Sequence, residues 1–102
     1  MANSVGFHEA VEDLTPKTRD LHRAIASLQE ELEAIDWYQQ RVDATQDPEL
    51  REILKHNRDE EVEHAMMVLE WIRRNDPVFA KDAAKYLGRA GNVVEREEAE
   101  TK

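Results

Sequence analysis

The stretch from Asn57 to Trp71, NRDEEVEHAMMVLEW, restricts the fold more than any other part of this sequence. Wound as an α-helix at roughly 100° per residue, it gathers Ile53, Leu54, Glu61, His64, Val68 and Ile72 on one side, with Glu61 near the middle. Isolated carboxylates are seldom retained on a face that must be buried. Glu61 must therefore be paired, protonated or bound to a cation. His64 lies one turn further along the same face, so the two side chains can reach a single ligand.

Punctuation on either side of this stretch defines its partners. Thr15-Pro16 supplies a helix cap followed by proline at the first helical position. Leu21, Ile25, Leu28, Leu32, Ile35, Gln39 and Val42 then recur at alternating steps of four and three, a coiled-coil-like stripe of about three heptads. A helix over 16 to about 44 is expected, some 40 Å long at about 1.5 Å per residue. Asp47-Pro48 repeats the start signal after a short link, so the second helix returns antiparallel. Arg73-Arg74 suit the dipole at its end. Asn75-Asp76-Pro77 opens a short third helix, in which Val78, Phe79, Ala83, Tyr86 and Leu87 are expected to pack across the hairpin before Gly88 and Gly91 stop it.

The expected organisation is an arm or short helix over 1–14, a hairpin over 15–75, a short helix over 76–90 and an acidic, frayed tail over 91–102. His8 reads as part of an arm that packs against a neighbour, His56 as surface, and Met66 and Met67 as core or interface filler. At 102 residues the chain makes one domain, and a hairpin of this size covers only one face of each helix, so association with further copies is expected. A net charge of −9 disfavours nucleic-acid binding. No apolar run approaches the roughly 20 residues that cross a bilayer, and no leader pattern opens the sequence, which reads as cytoplasmic.

The absence of cysteine leaves oxygen and nitrogen ligands as the available metal chemistry. Glu31 sits on the shoulder of the first stripe, a place that ordinarily holds an interhelical ion pair. With Glu61 and His64 on the facing helix it becomes a candidate ligand. Tyr38, one heptad on, either hydrogen-bonds a ligand or packs at a seam. Glu30, Glu33 and Trp37 lie on the opposite face, as solvated surface, a subunit contact or a weak cation relay.

Ferritin-type di-iron centres take a carboxylate from each of two helices and Glu-x-x-His from each of two others. This chain holds half of such a set. The reading is an all-α fold, a long antiparallel two-helix hairpin plus a short C-terminal helix, dimerising into a ferritin-like four-helix bundle in which two-fold symmetry completes the ligands. Carboxylates with imidazole suit Fe(II), Mn(II) and Zn(II) alike. Three readings stay open on the residues alone: an Fe(II)-oxidising centre, a non-oxidising manganese or zinc protein, and a scaffold whose Glu61–His64 pair fixes register.

SLQEELEAIDWYQQR at 27–41, NRDEEVEHAMMVLEWIRR at 57–74 and the following DPVF closely resemble the encapsulated ferritin-like proteins, ferroxidases carried as cargo inside encapsulin nanocompartments. The resemblance implies an Fe(II)/Fe(III) di-iron centre with Glu31, Glu61 and His64 as ligands from two subunits and Tyr38 beside it. It implies that Glu30 and Glu33, near Trp37, attract metal on its way in. It further implies a functional dimer within an annular decamer, a pentamer of dimers, and an encapsulin shell partner in the bacterial cytoplasm, the oxidised iron being mineralised within that shell. A C-terminal targeting peptide of small and apolar residues is also expected of the family, whereas this sequence ends in EREEAETK.

Overall fold

The computed structural model describes residues 6–101, with side chains described over 6–99, and all its regular structure there is helical. A 3-10 turn at Val11–Asp13 precedes α1 (Pro16–Ala44), α2 (Pro48–Asn75), α3 (Pro77–Tyr86) and α4 (Val93–Thr101). The chain divides into two units, residues 1–72 and 73–102.

In the first unit each helix begins where its cap dictates. The Thr15 hydroxyl accepts from the Thr18 amide at 3.1 Å, with Pro16 in the first turn. Asp47 accepts from the Leu50 amide at 2.9 Å in the same way ahead of Pro48. Between them the reversal is tied by one side chain. The Arg51 guanidinium donates back to the Val42 carbonyl at 3.3 Å and to the Thr45 carbonyl, satisfying acceptors that the end of α1 leaves open. These bonds hold the two long helices antiparallel across a very short link.

Only half of the α1 stripe is covered. Leu21, Leu28, Ile35 and Val42, one row at heptad spacing, are half-buried, and Glu31 and Tyr38 are half-buried beside them. The other row, Ile25, Leu32 and Gln39, is exposed, Leu32 to 52%. On α2 the covered side runs through Leu54, Glu61, Ala65, Val68 and Ile72, of which Ala65 and Ile72 are fully buried. Ile53, Met67 and Trp71 form an exposed flank on that helix, Met67 reaching 58%. Met66 and Met67 therefore do not fill a core within one chain. The physical reason is geometric: one helix covers one flank of its neighbour, while a stripe of alternating steps is wide enough for two.

In the second unit Asp76 caps α3 by accepting from the amides of Val78 and Phe79 at 3.0 and 3.1 Å. Val78, Phe79 and Leu87 remain largely exposed. The chain then turns at Gly88 and Gly91, whose φ angles of 70° and 100° are costly for any residue with a Cβ. The segment expected as a frayed tail instead carries α4, started by Asn92, which accepts from the amides of Val94 and Glu95.

Candidate metal centre

Glu31 comes from the covered side of α1, and Glu61 and His64 from successive turns of α2 opposite it. Their placement follows from the stripe pattern. The hairpin brings the α1 row containing Leu28 and Ile35 against the α2 row containing Leu54 and Val68, and the three polar side chains lie at the edge of that contact. One ligand atom from each falls within 4.8 Å of the others, and no other such group of three occurs among the described residues. His64 Nδ1 stands 3.7 Å from Glu31 Oε2 and 3.8 Å from Glu61 Oε2, too far for good hydrogen bonds.

The site is shielded without being sealed. The Glu31 and Glu61 side chains are 24% and 25% exposed and that of His64 44%. Glu31 Oε2 itself is shut away from solvent and has no hydrogen-bond partner. The Glu31 carboxyl is held above its ordinary value of 4.5, chiefly by proton-sharing with the neighbouring Glu61 carboxyl, then by burial and by the Glu61 charge. His64 pulls the other way. An unpartnered buried oxygen and a Glu31 carboxyl whose charged form is disfavoured by its neighbour are what a cation would relieve, so this donor set fits a metal ion. Oxygen donors with one imidazole suit a first-row divalent ion.

Tyr38 lies half-buried one heptad after Glu31, with the Arg41 guanidinium 5.3 Å from its ring centroid. Glu30 and Glu33 are exposed on α1 and do not join the cluster. They border a cleft of about 480 Å³ together with His8, His22 and Gln29, and Trp37 is outside its lining. His22 is missed by a search for apolar stripes. The signal was nevertheless present: His22, Ala26, Gln29 and Glu33 recur at steps of four, three and four, with Glu30 beside Gln29, a second face of the same helix.

The sequence pattern of the EncFtn-like family matches residues 6–90. The chain belongs to the EncFtn-like family. Among its relatives is an encapsulated ferritin-like protein of Rhodospirillum rubrum, 56% identical over 99 residues, a match spanning 97% of this chain and 71% of the relative. A ferritin-like protein of Thermotoga maritima is 52% identical over 92 residues, or 90% of this chain and 81% of the relative. An encapsulin nanocompartment cargo protein of Myxococcus xanthus is 40% identical over 78 residues, covering 76% of this chain and 59% of that longer protein. The fold is also similar to a crystal structure from Nitrosomonas europaea, with a TM-score of 0.83 at 56% identity over 87% of this chain and 98% of the other.

Proposed function

We propose that this EncFtn-like chain is half of a ferroxidase, and that two copies join along the exposed rows of α1 and α2 to oxidise Fe(II) to Fe(III). The observation that carries the reading is the convergence of Glu31, Glu61 and His64 within 4.8 Å, beside apolar rows that a single chain leaves uncovered. One such set supplies three protein ligands, and a ferritin-type centre uses six. A two-fold axis past this edge would bring a second set opposite the first and cover Leu32, Ile53 and Met67 at the same time. The hairpin over 15–75 is then the working unit.

Two substrate Fe(II) ions held side by side would each release one electron to dioxygen or peroxide. The roles of the chain follow from its donors. Glu31 and Glu61 would supply the negative charge that favours the Fe(III) product, and a cation between them would relieve the contact that holds the Glu31 carboxyl above its ordinary value. His64 would supply a nitrogen donor, and as the most exposed of the three it lies nearest the route from solvent. Tyr38 is read as hydrogen-bonding within the completed centre, Arg41 holding its ring. Glu30 and Glu33, with Trp37 nearby, are read as the carboxylates that draw metal in from solvent. The relatives described as encapsulated or as nanocompartment cargo support a place for this chain in an encapsulin shell; its dimers are read as building an annular decamer there, in the bacterial cytoplasm.

Aerobic oxidation of Fe(II), followed by absorbance and oxygen consumption, tests the reading. Wild type should outrun buffer, and Glu61→Ala and His64→Ala should each fall to the buffer rate, since symmetry removes two ligands at once. Metal bound without oxygen consumption would overturn the ferroxidase reading in favour of a redox-silent manganese or zinc site. Assembly unaffected by chelator, with no metal bound, would leave only a structural Glu61–His64 pair.

A further inference from the structure

On the reading of Glu31, Glu61 and His64 as half of a metal centre, we infer that Asn57 is a positioning residue for it. The Asn57 side-chain amide ties the Glu61 carboxylate to the Tyr38 hydroxyl, and so fixes which Glu61 oxygen faces the ion.

Asn57 stands in the interior of α2, four residues before Glu61 and seven before His64, and it is half-buried. Nothing in the fold explains an asparagine there. It is a poor helix former away from helix ends, and its amide finds no hydrogen-bond partner among the described residues. A half-buried residue that serves neither the helix nor its packing is expected where a site needs it. Helix geometry decides what it can reach. Side chains lean toward the N-terminus of their own helix, so the Glu61 carboxyl lies over the turn that Asn57 occupies. The antiparallel register brings α1 to the same place. Glu31 faces Glu61, so Tyr38, seven residues on, stands level with Leu54 and leans toward the turn of Asn57. Tyr38 is half-buried as well, with Arg41 5.3 Å from its ring centroid, and its hydroxyl likewise has no hydrogen-bond partner among the described residues. An amide suits the space between a carboxylate and a phenol. Its NH2 donates to the first while its carbonyl accepts from the second, and it adds no charge beside two carboxylates. Outer hydrogen bonds of this kind orient ligand carboxylates, which can otherwise turn either oxygen toward an ion.

Calorimetric titration of the full chain with Co(II), beside thermal melts in chelator, tests this. Asn57→Ala should weaken Co(II) binding at the centre by about tenfold or more, the effect of losing an outer hydrogen bond to a ligand. In chelator the same variant should melt at or above wild type, because alanine is the better helix former and no protein bond is lost. An asparagine that serves the fold gives the opposite, a lower melt, and that result overturns the inference. Co(II) binding weakened by less than about threefold overturns it too. The link to Tyr38 is read from the maximal rate of Fe(II) oxidation at saturating iron. Asn57→Ala and Tyr38→Phe should each slow it, and the double variant should be no more than about twofold slower than the slower single one, since both break one chain of hydrogen bonds. Effects that multiply overturn that link. The ferroxidase reading fails separately: wild type then oxidises Fe(II) no faster than buffer, while the loss of Co(II) affinity in Asn57→Ala stands.

Discussion

Replacing Glu31 by glutamine should act in opposite directions with and without metal. In the metal-free chain Glu31 and Glu61 present oxygens within 4.8 Å of each other, and Glu31 is held above 4.5 by that neighbour and by burial. Two unit charges about 4 Å apart interact by about 1 kcal/mol in water and about 4 kcal/mol at an effective dielectric of 20. The two side chains are about a quarter exposed, and His64 offsets part of the repulsion, so the lower figure applies. Removing one charge should stabilise the chelated protein by about 1 kcal/mol, or about 4–8 °C in melting temperature for a chain of this size. The sign with pH follows from the raised value. Stability linked to Glu31 is fully present below the ordinary carboxylate range and is lost as pH rises through its elevated value. The advantage of Glu31→Gln should therefore be full at neutral pH and vanish in acid. With Co(II) at about one hundred times its dissociation constant, wild type gains about 2.7 kcal/mol that the variant largely forgoes, and the order reverses. Circular dichroism melts at matched protein concentration measure both. A variant that melts lower than wild type in chelator at neutral pH would refute the claim that the empty pair of carboxylates is strained.

Three further outcomes are expected. Leu32→Lys removes about 1.5 kcal/mol of burial from each copy at a two-fold contact, so dimerisation should weaken about a hundredfold in sedimentation velocity while helix content stays. Arg51→Ala loses the ties to the Val42 and Thr45 carbonyls and should melt about 4–8 °C lower, the cost of about 1 kcal/mol at an exposed turn. Glu33→Gln should slow the initial rate of Fe(II) oxidation in stopped flow without changing metal occupancy at saturation.

The hairpin could be read from the chain because its signals are local. Thr15-Pro16 and Asp47-Pro48 mark two starts, and each cap makes the amide contact that such residues favour. The convergence of Glu31 with Glu61 and His64 was also legible, since a charge on a stripe demands a partner and the facing helix offers one. Which half of the α1 stripe meets α2 was not. A heptad pattern places Leu28 and Leu32 on one broad face but carries no information on which neighbour covers which row. The grip of Arg51 on the turn and the packing of Phe7 on His22 depend on where long side chains fold back, and no periodicity reports that. Nor does the acidic composition after Gly91 reveal α4, whose start is set by the single side chain of Asn92.

The bare row of Ile25 and Leu32 has a kinetic corollary. If catalysis belongs to pairs, turnover per chain is set by encounter as well as by chemistry, and it should decline on dilution below the pair's dissociation constant. Rate against protein concentration would then curve upward at the dilute end, second order before it becomes first. Confinement would cancel that penalty. A handful of copies enclosed in a small volume experience an effective concentration that free diffusion in a cell does not provide, so packaging would keep the two halves together as well as retain their product.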